Sequence, residues 1–112
     1  MDSTKEMLPL TEGFYYILIC LIQAPAHGYG IMQDVEKMTL GRVRIGPGTL
    51  YTALNTLLKK ELIIDLPTTD SADSRRKMYA ITENGKKTVA GEIQRLQELL
   101  DNGRKSMNTG EE

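Results

Sequence analysis

The 112-residue sequence is 40% apolar and 26% charged, with 14 basic and 15 acidic side chains and a net charge of −1. Those values exclude a disordered chain, and the length leaves room for one domain whose core buries about two-thirds of the surface an unfolded chain exposes. A lone cysteine, Cys20, excludes an internal disulfide. The mixed-charge start MDSTKEMLPL is unlike a secretory signal, and the apolar run from Phe14 to Ile22 falls far short of the roughly 20 residues of a membrane-spanning helix, so a cytoplasmic protein is expected.

From Leu10 to Gln23 the apolar residues cover nearly the whole helix circumference, with Phe14, Ile17, Leu18 and Leu21 on one side and Tyr15, Ile19 and Ile22 on another. A helix apolar all round must be buried all round, and in so short a chain the second face calls for a second copy of the protein. Ala24-Pro25-Ala26-His27-Gly28 breaks that helix, and Tyr29 to Met38 predicts another, with Ile31, Met32 and Val35 turned inward and Gly41 as its stop. Arg42 to Ile45 reads as extended. Gly46-Pro47-Gly48 then opens a third helix to Lys60, with proline tolerated in its first turn. Leu62–Leu66 and Met78–Ile81 predict a hairpin around a polar loop, and Thr82 caps a last helix to about Asn102-Gly103, leaving 104–112 as a frayed tail.

Val89, Ile93, Leu96 and Leu100 recur in that last helix at spacings of four, three and four, as in a coiled-coil seam, with Glu92, Gln94, Arg95, Gln97 and Glu98 around them. With Tyr15, Ile19 and Ile22 they form the expected homodimer interface.

Charge is unevenly spread. Residues 1–41 carry two basic and five acidic side chains, residues 42–87 nine and five, and residues 88–112 three and five, so a centre of +4 lies between flanks of −3 and −2. A basic centre suits phosphate contacts, although uneven solvation gives the same sums. The third helix sharpens the choice. Leu50, Ala53, Leu54, Leu57 and Leu58 fill one arc, and the opposite arc holds Thr49, Tyr51, Thr52, Asn55, Thr56, Lys59 and Lys60 with no carboxylate. Hydroxyls, an amide and cations are the groups that meet phosphates and base edges. Arg75, Arg76 and Lys77 precede the second strand, where a hairpin tip lays cations on the backbone or in the minor groove, and Arg42 and Arg44 add to the same central positive region of the sequence, which does not show whether they share that surface.

Other chemistry finds little to act with. His27 is the only histidine and no cluster at metal-ligand spacing accompanies it; Gly41 to Thr49 lacks the Gly-Lys-Ser/Thr ending of a phosphate loop; and no nucleophile and base pair stands out. No catalytic residue, metal or cofactor is therefore expected, and the chain is read as a non-enzyme.

His27-Gly28-Tyr29-Gly30-Ile31, then Gly48-Thr49-Leu50-Tyr51-Thr52-Ala53-Leu54, then Arg75-Arg76-Lys77-Met78-Tyr79-Ala80-Ile81-Thr82-Glu83-Asn84-Gly85 resembles the PadR family of transcriptional regulators, in its small subfamily with a single C-terminal helix. The resemblance implies a mostly α protein with a small β-hairpin: a winged helix-turn-helix over residues 1–81, a dimerisation helix over 82–103, and a disordered tail over 104–112. It implies a homodimer that binds double-stranded DNA at a two-fold operator, usually as a repressor. Thr49, Tyr51, Thr52, Asn55 and Lys59 then fall on the recognition helix, Arg75, Arg76 and Lys77 on the wing, and Tyr29 in a motif expected to serve packing. Some members hold flat aromatic effectors between protomers; here that region offers Met7, Tyr15, Ile19, Leu96 and Leu100, as a closed interface or as an apolar effector pocket. Gly46 stands where a serine cap is frequent and Met78 where an aromatic is. A winged-helix scaffold that binds a protein and reads no DNA is the alternative, favoured slightly by the acidic total.

Overall fold

The computed structural model describes residues 8–67 and 77–108. Helix α1 (Glu12–Gln23) starts where the Thr11 hydroxyl accepts the Phe14 N–H at 3.1 Å. This is two residues later than the apolar pattern suggests, because Thr11 is extended (ψ 157°) as the N-cap; the Leu10 N–H ahead of it bonds the Glu92 carboxylate at 2.9 Å. Ala24, extended ahead of Pro25, ends the helix.

Strand β1 (Ala26–His27) was not foreseen. It pairs antiparallel with β3 (Met78–Ile81), which also pairs with β2 (Ile63–Leu66), so the expected hairpin is one side of a three-stranded sheet in the order β1-β3-β2. Two residues are too few to display an alternating pattern. The β2–β3 register sets Ile63 opposite Ile81 and Leu66 opposite Met78.

Helix α2 (Gly28–Met38) and helix α3 (Pro47–Lys59) end in the same way. In α2 the Gly41 N–H bonds the Glu36 carbonyl at 2.8 Å and the Leu40 N–H bonds that of Lys37; in α3 the Leu62 N–H bonds the Leu57 carbonyl at 3.0 Å and the Glu61 N–H bonds that of Leu58. This double closure needs a left-handed residue just beyond the helix. Leu40 (φ 54°) and Glu61 (φ 60°) take that position, with Gly41 (φ 81°) one residue further on. The α2–α3 connection is held by the Thr39 hydroxyl, which donates to the Val35 carbonyl at 2.9 Å and accepts the Val43 N–H at 3.0 Å.

Helix α4 (Glu83–Asn108) is capped by Thr82, whose hydroxyl accepts the Gly85 N–H at 3.0 Å and donates to the Glu61 carbonyl at 2.8 Å. A methyl group on Gly85 would collide with the Leu62 carbonyl oxygen and Ile81, which makes glycine obligatory there. The helix does not stop near Gly103 but continues five residues further, to Asn108, correcting the expected boundary. Gly103 keeps a helical backbone, and an interior glycine costs only about 1 kcal/mol relative to alanine. Residues 109–112 of the expected tail lie outside the described residues.

Ile17, Leu18 and Leu21 of α1, Ile31 and Val35 of α2, and Leu50, Leu54 and Leu57 of α3 meet at the centre with Leu62, Ile63, Tyr79 and Val89. Val89 is 2% exposed, so it belongs to the protomer's own core and not to the exposed stripe in which the heptad reading placed it. Glu92, read as solvating that stripe, is buried too. The inner face of α4 is Gly85, Thr88, Val89 and Glu92, at spacings of three, one and three; Ile93 begins a second, outward stripe.

Candidate nucleic-acid interface

Helix α3 stands on its leucines. Leu50, Leu54 and Leu57 are fully buried against the core, which fixes the rotation of the helix and turns Thr49, Tyr51, Thr52, Asn55, Lys59 and Lys60 outward. Its sequence holds no acidic residue. Thr56 is half-buried, its hydroxyl donating to the Thr52 carbonyl at 3.1 Å. The N-cap Gly46 has no side chain to cap the first turn, which leaves the positive end of the helix dipole open beside Thr49.

Tyr51 has a second duty. A methyl group on Gly28 would stand 2.9 Å from the Tyr51 hydroxyl oxygen and 3.2 Å from its Cζ, so the tyrosine lies against the start of α2 and spaces the two helices. It is nevertheless 41% exposed. Tyr29, expected to pack, is 66% exposed: Gly28 and Ile31 supply the packing, and the phenol is turned outward. The structure thus adds an exposed aromatic at the start of α2, close in sequence to the glycine that Tyr51 covers.

At the hairpin, exposed Lys77 lies at the base of the loop, and its carbonyl is 3.3 Å from the Nδ1 of His27. Arg75 and Arg76 lie outside the described residues. Arg42 and Arg44 do not extend the positive face as free charges. Arg42 grips Glu12 at 2.7 and 3.2 Å and reaches the Tyr16 hydroxyl, while Arg44 pairs with Glu36 at 3.2 Å. The hydrogen bond from Arg42 holds the Glu12 carboxyl below its usual range and raises the guanidinium in turn.

On the opposite side Ile93, Leu96, Leu99 and Leu100 of α4 are exposed, as is Ile22 of α1, whereas Tyr15 and Ile19 are half-buried. Tyr15 and Leu96 meet in a cleft of 310 Å³ with Glu92 and Arg95; Ile19 and Leu100 do not line it, and Met7 lies outside the described residues. Glu92 is the buried anchor of this side. Its carboxylate accepts Nε of Arg95 at 2.6 Å, a guanidinium N–H at 3.0 Å and the Leu10 N–H, and the arginine chiefly holds it below the usual carboxylate range. Burial pushes the Cys20 thiol up to about 11, leaving it protonated and inert at neutral pH. Among the described residues there is no group of three potential metal ligands, and no helix is long and apolar enough to cross a membrane.

Two helices joined by a short bend, the second presenting a carboxylate-free face, followed by a hairpin packed beside them, define a winged helix-turn-helix protein. Its sequence carries the identification further: the chain belongs to the transcriptional regulator PadR-like family, which it matches over residues 17–91. It is 31% identical over 88 residues to uncharacterized protein X of Lysinibacillus sphaericus, covering 76% of this chain and 81% of that one. It spans only 22% and 31% of the length of other curated relatives. Among solved structures it is similar to a transcriptional regulator from Clostridium thermocellum, at 26% identity and a TM-score of 0.73 over 83% of this chain and 87% of the other. It shares its fold with Bacillus subtilis PadR in complex with operator DNA, at 22% identity and a TM-score of 0.66, covering 76% of this chain and 48% of that one.

Proposed function

We infer that the protein is a DNA-binding repressor that acts as a homodimer on a two-fold operator. The outward face of α3 carries the reading: polar and cationic groups, no carboxylate, on a helix whose rotation is locked by three buried leucines. Asn55 and the threonines are suited to base edges, and Lys59, Arg75, Arg76 and Lys77 to phosphates. Support for the dimer comes from the exposed apolar stripe of α4, which continues beyond the region that packs on the protomer. Bacillus subtilis PadR, of the same fold, is found on operator DNA.

Selection of genomic fragments at low salt, followed by anisotropy titrations at several salt concentrations, tests this. Arg76→Ala is expected to weaken binding on all sequences and to lower the salt slope by about 1, whereas Asn55→Ala shifts the preferred sequence with the slope unchanged. The absence of any salt-sensitive binding would sink the proposal and leave the protein-interaction scaffold in its place.

A further inference from the structure

Three elements meet where β1 passes into α2. Strand β1 sets His27 opposite Met78, and the imidazole Nδ1 lies 3.3 Å from the carbonyl oxygen of Lys77, at the base of the hairpin loop. One residue further on, a methyl group on Gly28 would stand 2.9 Å from the Tyr51 hydroxyl, so the outward edge of α3 abuts the same turn. Tyr29 follows, 66% exposed, and a Cβ on Gly30 would meet nothing within 4 Å, so the surface beside the phenol is open. His27 and Lys77 are exposed as well. We propose that His27, Tyr29 and Lys77 form a site for a backbone phosphate of DNA, in which His27 binds as the imidazolium and takes up its second proton as DNA binds.

Placement identifies the ligand. The site rests on the DNA-binding reading: with α3 in the major groove and the hairpin loop reaching the minor groove, the line of phosphates that separates the two grooves crosses the junction between them. The groups waiting there suit it. The Tyr29 hydroxyl makes no hydrogen bond and the Lys77 ammonium no ion pair among the described residues, which leaves two donors, one of them charged, for phosphate oxygens.

The proton on His27 follows from its partner. A carbonyl oxygen only accepts, so the bond to Lys77 requires Nδ1–H, and the neutral ring then carries a lone pair and no donor at Nε2. Nε2 makes no other hydrogen bond among the described residues. A phosphate oxygen repels that lone pair. Once Nε2 takes a proton from solvent it donates a charge-assisted hydrogen bond to the phosphate, with Nδ1 still held by Lys77. The titratable groups around the ring are the phenols of Tyr29 on α2 and Tyr51 on α3 and the ammonium of Lys77. Asp65 of β2 stands in the row of Tyr79, whereas His27 stands in the row of Met78, so the two side chains leave the sheet on opposite faces and the carboxylate is no substitute for the phosphate. Because the DNA-bound form holds the proton more tightly than the free form, affinity rises as pH falls.

His27 is the only histidine, so one imidazole NMR signal reports its protonation directly. Anisotropy titrations of the full-length protein with a duplex recovered from the genomic selection, at fixed salt between about pH 8 and pH 6, test the site beside an NMR pH titration of that signal with and without the duplex. Affinity is expected to rise about fivefold over the range, and the duplex to move the imidazole midpoint up by about one pH unit. His27→Gln, which keeps a donor and cannot titrate, is expected to remove the rise; the α-amino group, which titrates in the same window, is common to both proteins. Tyr29→Phe is expected to weaken binding about fivefold at every pH and on every sequence, with the circular dichroism spectrum retained. An affinity independent of pH, an imidazole midpoint that the duplex leaves unmoved, or a rise that survives in His27→Gln would overturn the site while leaving DNA binding intact. Full affinity in Tyr29→Phe would overturn the three-residue arrangement. The absence of salt-sensitive binding at any pH would overturn the repressor reading and the site together.

Discussion

Gly28 is the residue on which the geometry of the α2–α3 pair turns. Alanine there would place its methyl 2.9 Å from the Tyr51 hydroxyl and 3.3 Å from Cδ2 of Leu50. The tyrosine tip is partly exposed and can swing aside, so Gly28→Ala is expected to leave the unfolding midpoint nearly unchanged while DNA affinity falls about tenfold. In a Tyr51→Ala background the same change is expected to cost nothing further, since the ring it displaces is gone; an additive loss would show that Gly28 acts independently of Tyr51. Glu92 makes a contrasting demand, on stability. Its carboxyl is held below the unfolded value, so its contribution is fully present above about pH 4.3 and is lost as pH falls through the folded pKa. Glu92→Gln is expected to cost about 2 kcal/mol at pH 7, by analogy with hydrogen bonds to charged groups. Urea titrations across pH should show the gap between the two proteins closing on the acid side. A gap independent of pH would mean that packing, not charge, is at stake.

At the level of elements, the two helix ends show what the sequence discloses and what it conceals. Amphipathic spacing locates α2 and α3, because burial of Leu50, Leu54 and Leu57 or of Ile31 and Val35 demands that spacing. The Thr82 cap locates the start of α4, whereas the Thr11 cap of α1 is passed over because apolar Leu10 already fits the helical pattern; both hydroxyls accept the N–H three residues on. The ends of α2 and α3, at Met38 and Lys59, fall within one residue of the expectation, and that of α4 does not. A left-handed position filled by Leu40 or Glu61 gives no glycine signal, and tertiary packing holds the strain: Leu62, next after Glu61, is fully buried beside Leu57. Glu61→Gly is thus expected to stabilise the protein by about 1 kcal/mol, the usual cost of a left-handed side chain, raising the melting temperature by about 4–8 °C. The exposed Glu61 side chain has no packing role to lose, and the carbonyl that receives Thr82 is unchanged. The candidate interface was legible on α3 because its leucines and its polar arc alternate cleanly. It was left open at Arg42 and Arg44, whose partners Glu12 and Glu36 lie on other elements and become neighbours only on folding. The α4 stripe was misread at Val89 because a seam of spacing four, three, four overlaps the core stripe at its first residue.

For the whole molecule, the division of α4 between two stripes bears on DNA reading. Its first turns hold the domain together through Gly85, Thr88, Val89 and Glu92, and later turns expose Ile93, Leu96 and Leu100 along a helix of about 39 Å. A second copy covering that stripe would hold two α3 helices at a fixed separation, and half-sites one turn apart require roughly 34 Å. Ile93→Glu combined with Leu100→Glu separates the two roles. Both positions are exposed in the protomer, so the variant is expected to fold with an unchanged circular dichroism spectrum, and carboxylates facing each other across the pair should drive it to a monomer in sedimentation equilibrium. Affinity for a two-half-site fragment is then expected to fall at least about 100-fold, because the second contact is no longer intramolecular, while affinity for a single half-site stays within about twofold. A monomer that keeps full affinity for the double site would break the link between the α4 stripe and operator reading. Equal losses on both fragments would place the two carboxylates' effect at the DNA surface itself.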